Sequence, residues 1–316
     1  MNSADSGQLM YHKWSSFRDP VAVGLDASRF DQHVSREALN WEGAQYLKCF
    51  PNRRHRRRLA RLLSMQLVNQ CKGYTVDGRV SYHTNGGRMS GDMNTSLGNC
   101  LLMCAMIHAY STWVGVPVKL ANNGDDCVVF MERRHHTRFI RFLDAWFLRM
   151  GFSMAVEPPA YTFEELEFCQ THPVWVGPEH DSYLMVRHPK WAIAKDTMCV
   201  HNYVQPHMFS AWRHAVGEGG LSMTGGVPVF QNFYRTMLRG TVGRKLVDSG
   251  QSWGVRMLQK NMIRSFGDVH PRTRASFYWA FGVTPCEQQV LERFYDSVEI
   301  DNQLGSIFHY QTAMPL

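Results

Sequence analysis

The stretch VPVKLANNGDDCVVFM, residues 116–131, decides how the chain is read. Two runs rich in Val, Leu and Phe flank a polar segment centred on Asn123-Gly124, a pattern that predicts strand, tight turn, strand. The turn carries adjacent carboxylates, Asp125 and Asp126. Their repulsion raises the energy of the turn unless a cation is held there. An acidic hairpin tip is also an ordinary surface feature, so the reading turns on what accompanies it.

Upstream, PVAVGLD (20–26) is an apolar run closed by an acid, which predicts a buried strand ending at Asp26. Carboxylates from two strands, completed by water and phosphate oxygens, suit Mg²⁺, which rarely receives a full protein cage. Two such ions about 3.5–4 Å apart activate an attacking hydroxyl and neutralise a leaving oxygen, most of what phosphoryl transfer requires. Between the two acids lies SGDMNTSLGN (90–99), at the head of an apolar run that predicts a buried helix over Met93–Tyr110. Thr95 and Asn99 stand one turn apart on that helix, and Gly91 and Gly98 permit close backbone approach. Ser90, Thr95 and Asn99, together with Asp31 of DASRFD (26–31), supply the hydroxyl, amide and acid that grip a ribose 2′-OH, which both donates and accepts. Each is also open to a reading as ordinary capping or core hydrogen bonding.

Residues 33–70 read as largely helical and include NRRHRRRLAR (52–61), with Arg53, Arg54, Arg56, Arg57, Arg58 and Arg61. That run is either a solvated helix face or a site for RNA phosphates. Asn85-Gly86 is a turn signal. Phe139, Phe142, Leu143, Trp146, Phe147 and Met150 recur at helical spacing as a core stripe, with Gly151 as its stop. EELEFCQTHPVWV (164–176) predicts another hairpin. After residue 186 the character turns helical, with a Gly-rich break at VGEGGLSMTGG (216–226) that lacks the ending of a phosphate-cradling P-loop. A second domain is therefore placed from 186.

An apolar content of 44% and a charged content of 19% over 316 residues exclude disorder and leave room for one large core or two smaller ones. The net charge of +7 suits a polyanionic partner. The eight cysteines form no CxxC, and Cys100 and Cys104 read as core. The opening MNSADSGQLMYHKW (1–14) has no apolar run of the kind a secretory leader needs, and the apolar stretch 93–118 carries too many polar residues to make a good bilayer helix.

The order of these features is more specific than any one of them. GLDASRFDQHVS, RMSGDMNTSLGNCLLMC, NGDDCVVF and EFCQTHPVW, followed by AIAKDTM and GEGGLSMTGGVPV, resemble motifs A, B, C and E and the downstream region of viral RNA-dependent RNA polymerases. The similarity is to the tombusvirus-family replicases of plant viruses, and it covers nearly the whole chain. It implies an α+β fold: a right-hand polymerase palm with a ferredoxin-like antiparallel sheet over residues 1–185, a mainly helical thumb over 186–316, and most of the fingers missing. It implies template-directed transfer of nucleotides to an RNA 3′ end with two Mg²⁺, or Mn²⁺, at Asp26, Asp125 and Asp126. Asp31, Thr95 and Asn99 would select the ribose, Ser90 and Gly91 would contact template and nascent pair, and Phe168, Cys169 and Gln170 would support the primer end.

The resemblance further implies template and product RNA and ribonucleoside triphosphates as partners. It adds a viral auxiliary protein and the N-terminal replicase region, with no transmembrane segment in the chain itself and action in the host cytoplasm at membrane-associated replication complexes. Two rival readings are an RNA-binding fragment inactive without upstream fingers and a reverse transcriptase; the polar trio argues against the latter, which would block the 2′-OH. Many relatives carry a motif D lysine, but Lys119 and Lys190 bracket an interval with none. Protonation of the leaving group is therefore expected from water, His135 or His136.

Overall fold

The computed structural model describes residues 1–177, 182–199, 206–241 and 261–300. They fall into two compact units, Ser16–Pro159 and Met1–Ser15 with Ala160–Leu316. Helix α1 (Ser3–Trp14) thus belongs with the C-terminal unit.

The unit Ser16–Pro159 is built on a sheet whose order is β4–β5–β1–β6, with every neighbouring pair antiparallel. Strand β1 (Pro20–Ala27) is followed by the short α2 (Phe30–His33), α3 (Arg36–Lys48), α4 (Arg53–Ser64) and a ribbon of β2 (Val68–Thr75) and β3 (Gly78–Asn85). Then come α5 (Thr95–Val114), β4 (Lys119–Asn123), β5 (Asp126–Glu132), α6 (His136–Ile140), α7 (Leu143–Arg149) and β6 (Met154–Val156). The sheet strands and the helices that join them form a strand–helix–strand–strand–helix–strand path with β1 and β5 central, the split arrangement of ferredoxin-like folds. Alternation along β1 sends Val21, Val23, Leu25 and Ala27 into a core shared with Cys127, Val129 and Met131 of β5 and with Leu102, Met103, Ile107 and Tyr110 of α5. Ala22, Gly24 and Asp26 occupy the opposite sheet face.

Strand β1 and the hairpin of β4 and β5 lie where the pattern predicts them. The helix expected over Met93–Tyr110 starts at Thr95 and runs on to Val114, where Gly115, at φ 65°, ends it. Among the described residues it alone is long and apolar enough to cross a membrane, and its buried side chains fill the core. The aromatic stripe is split into α6 and α7: Phe139, Leu143 and Phe147 are fully buried, four residues apart, whereas Phe142 and Met150 are exposed. The helical reading of 33–70 fails at its end, because Val68 already begins the exposed ribbon. The Asn85-Gly86 signal lies past that ribbon; Gly86 and Gly87, at φ 84° and 78°, steer the chain toward residues 88–94.

In the other unit, β7 (Thr171–Val176) pairs with β8 (Ser182–Arg187), and α8 (Pro189–Asp196), α9 (Pro206–Thr224), α10 (Phe230–Leu238), α11 (Pro271–Phe281) and α12 (Pro285–Ser297) follow. Val174, Val176, Leu184 and Val186 share a core with Phe230, Phe233, Phe277 and Tyr295. Ser276 Oγ of α11 accepts from the Trp175 amide of β7 and donates to Glu164. These contacts place the compact boundary at 159/160 rather than at 185/186, since β7 and β8 are sealed by the helices that follow them. Helix α1 completes that side: a Cβ on Gly7 would stand 2.1 Å from the Tyr183 carbonyl oxygen of β8.

The Gly-rich segment is a correction. Residues 216–224 are helical, inside α9, and the chain turns only at Gly225-Gly226. A Cβ on Gly220 would lie 2.1 Å from the Tyr234 ring, so the glycines let α9 and α10 close together. Phe147 tests the core of the sheet unit: Phe147→Ala should lower its stability by about 3–5 kcal/mol in a chemical denaturation curve.

Candidate active site

The last register pair of β1 and β5 is Leu25–Cys127, so Asp26 and Asp126 come level with each other at the end of that ladder, while Asp26 pairs on its other side with Ala155 of β6. Asn123 and Asp126 flank the two-residue turn Gly124-Asp125, and Gly124, at φ 79°, opens it. Asp26 is exposed, and Asp125 and Asp126 are half-buried. A fourth acid, Glu157, accompanies them: its amide donates to the Gly24 carbonyl, and its carboxylate covers the position that a Gly24 side chain would fill. The buried Cys127 thiol is pushed up, first by burial and then by Asp126, Cys104, Glu157 and Asp125. Negative charge is therefore concentrated at this end of the sheet.

Asp31 connects this end to the start of α5. Its carboxylate accepts from Ser90 Oγ at 2.5 Å and from Asn99 Nδ2 at 2.7 Å. Asn99 is buried, and its Oδ1 has no hydrogen-bond partner. The tip of the acidic hairpin is adjacent, because a Cβ on Gly124 would lie 4.0 Å from Asn99 Cβ. Thr95 stands apart from this group: its hydroxyl donates to the Met89 carbonyl at 3.0 Å, which shapes the loop instead. Ser90 and Gly91 are exposed in that loop.

Cys100 has a role its spacing did not reveal. It is half-buried rather than core; its sulfur accepts from the Gly124 amide at 3.1 Å, and its carbonyl accepts from Asn122 Nδ2 at 3.1 Å. The exposed Cys104 donates to Asn122 Oδ1 at 3.6 Å. One turn of α5 thus clamps the acidic hairpin.

The start of α5 is held by a buried network whose members lie far apart in the sequence. Arg88 and Glu42 form an ion pair, with side chains 0% and 1% exposed. The same carboxylate accepts from Tyr46 Oη at 2.6 Å and from Asn94 Nδ2 at 2.8 Å, and Gln66 Nε2 donates to Asn94 Oδ1 at 2.9 Å. Burial, then the bond to Glu42, pushes the Tyr46 phenol up. Gly98 explains itself here, since a Cβ would meet Glu42 Oε1 at 2.4 Å.

The family described as viral RNA dependent RNA polymerase matches residues 1–303. The chain belongs to that family. It is 48% identical over 313 residues to the RNA-directed RNA polymerase of oat chlorotic stunt virus (isolate United Kingdom), covering 95% of this chain and 41% of the relative. Identity to the tobacco necrosis virus (strain A) polymerase is 43% over 297 residues, covering 93% and 40%; to that of tomato bushy stunt virus (strain Cherry) it is 42% over 304 residues, covering 93% and 35%. The kinship expected from the motifs therefore holds, and the chain spans between a third and just over two-fifths of these relatives' length.

Viral RNA-dependent RNA polymerases use divalent metal ions. Among the described residues no three His, Cys, Asp or Glu side chains enclose a metal by themselves. Carboxylates from a strand end and a hairpin tip do fit ions that keep water and substrate oxygens in their shell. The arginines of 52–61 lie on α4, which buries no residue, and Arg54, Arg57 and Arg58 are exposed. In the C-terminal unit, Phe168 and Thr171 bridge across Cys169-Gln170, whose φ values of 51° and 59° make a left-handed turn. The hairpin read over 164–176 is thus a tight turn leading into β7, which pairs onward with β8. His135 and His136, expected as proton donors, follow the far end of β5, roughly 20 Å of extended strand from Asp126, so they do not join the acids at the hairpin tip.

Cys100 supplies a direct test of the clamp. Cys100→Ala should raise hydrogen exchange at the Gly124 amide about three- to tenfold, as expected for loss of one weak bond, with distant amides unchanged.

Proposed function

We propose that this chain is the catalytic portion of an RNA-directed RNA polymerase, with the sheet unit as the centre of the palm and the helices after residue 186 as the thumb. One observation carries the reading: Asp31 joins Ser90 and Asn99 beside the end of the sheet where Asp26, Asp125 and Asp126 gather. Acids for metal-assisted nucleotidyl transfer and polar groups for a ribose thus meet in one compact unit.

Asp26 and Asp125, supported by Asp126, would hold two Mg²⁺ or Mn²⁺. Those ions, when bound, supply charge neutralisation and an activated 3′-hydroxyl. The chain's own part is selection and placement. Asn99 donates to Asp31, and its Oδ1 is a buried acceptor without a partner; a 2′-OH would reach it only if the Asn99 side chain turns outward as a nucleotide is seated, and a deoxynucleotide would leave it unsatisfied. Ser90 and Gly91 would meet the template and nascent pair, and Thr95 fixes their loop through Met89. Phe168, Cys169 and Gln170 would support the primer end.

The cations of α4 would hold RNA phosphates. Their N-terminal members sit at the positive end of the helix dipole with no acid in the first turn, an arrangement unfavourable for the helix alone. RNA and ribonucleoside triphosphates are the partners this reading requires. The same proposal includes joint action with the remaining replicase sequence, for which the 41% and 40% coverage of the longer relatives leaves room, and with an auxiliary viral protein at membrane-associated complexes in the host cytoplasm.

In an active polymerase carrying this chain, Asp125→Asn should reduce nucleotide addition by several orders of magnitude while RNA affinity stays near normal. Substantial turnover in primer extension would remove Asp125 from the metal site. Replacing Arg54, Arg57 and Arg58 with Ala should weaken single-stranded RNA binding and flatten its salt dependence by about 0.7 in log–log slope per lost phosphate contact. An unchanged slope and affinity would make the helix face simply solvated.

A further inference from the structure

The geometry points to Glu42 as a positioning residue for ribose selection, acting through Asn94 and Arg88 on Asn99 and Asp31. The inference rests on the ribose-reading role proposed for those two residues. Glu42 lies on α3, outside every stretch that resembles a polymerase motif, and its side chain is 1% exposed.

Its two oxygens divide the work. Oε1 accepts from Asn94 Nδ2, and Asn94 is the residue that begins α5. A residue at that position ordinarily caps its own helix, but here the side chain makes no capping bond and is turned to Glu42 and Gln66 instead. The Asn94 carbonyl accepts from the Gly98 amide at 2.7 Å, and Gly98 precedes Asn99. Oε2 takes the Arg88 guanidinium, whose Nε and Nη1 are buried without partners, so Glu42 is its only neutralising contact among the described residues. The Arg88 amide in turn donates to the Asp31 carbonyl at 2.8 Å. One carboxylate therefore fixes both sides of the Asp31–Asn99 bond: the rotation of α5 that aims Asn99, and the strand of loop that holds Asp31.

A buried pair of this kind adds little stability over an apolar pair of equal volume, and a polar network there sets geometry instead. Gly98 supports this, because α5 has given up a side chain at the point where it rests on the carboxylate.

The test compares UTP with dTTP incorporation by the active polymerase carrying this chain, in Glu42→Gln, in Asn99→Ala and in both together. Glu42→Gln should lower the preference for UTP about three- to tenfold, through a raised KM for UTP more than a lowered kcat. In the Asn99→Ala background it should lower the preference no further, since both act through one bond. Glu42→Gln leaves Arg88 buried without its counter-charge, so the double variant Glu42→Leu/Arg88→Met is measured beside it. That variant removes both charges but also takes the acceptor from Tyr46 Oη and Asn94 Nδ2, so it should fold cooperatively with a lowered melting temperature and show the same loss of preference. A folded double variant with the parental preference overturns the proposal, as does a Glu42→Gln effect that persists undiminished with Asn99→Ala. If Asn99→Ala alone leaves the preference intact, the ribose reading itself fails, and the positioning role falls with it.

Discussion

The antiparallel pairing of β1 with β5 is the constraint on which the sheet unit depends. It runs from Pro20–Glu132 to Leu25–Cys127, and one alternation of side chains serves two ends. The odd-numbered residues of β1 enter the core; Asp26, the even-numbered residue at its end, is left on the other face. A slip of one residue would exchange the faces, burying Asp26 and exposing Leu25. The apolar residues that stabilise the fold therefore also fix which acids stand together.

The carboxylates stay close only because other groups restrain the hairpin tip. Gly124 supplies the positive φ that the turn needs, and Cys100 binds the turn amide from the side of α5. Helix α5 is itself seated on Glu42. Side-chain hydrogen bonds tie α5 to α3 and to the hairpin, and small residues stand at the crossings: Gly98 over Glu42, and Gly124 beside Asn99. The C-terminal unit uses the same device where Gly7 lets α1 approach β8 and Gly220 lets α9 approach α10.

What the sequence shows and hides follows from range. Strand β1, the acidic hairpin and α5 were legible because their apolar periods are local and their stop signals, Gly115 among them, stand at the expected places. The Glu42–Arg88 pair was not, because 46 residues separate its members and each alone looks like a surface charge. The glycines of 216–226 read as a break because glycine disfavours helices in isolation; in the fold their lack of a side chain is what α10 requires. The ribbon β2–β3 escaped notice since it is exposed on both faces and carries no burial pattern. The unit boundary shifted because β7 and β8 read as part of the preceding sheet domain, whereas their apolar face is closed by α11 and its neighbours.

Two local costs remain that the fold does not need for itself. Cys169 and Gln170 both adopt left-handed backbone, about 1–3 kcal/mol each for residues other than glycine, where a Gly would relieve the turn. The arginines of α4 crowd the positive end of a helix dipole with no acid in its first turn. Packing does not explain the arginines, since α4 buries no residue, nor the backbone of Gln170, which is exposed, whereas Cys169 is half-buried. A strained turn keeps side chains where glycine would offer none, and crowded guanidinium groups relax once phosphates replace their mutual repulsion. Under the proposed function, phosphates of a bound RNA would relieve the repulsion among the arginines of α4, and the side chains of the turn would meet the primer end.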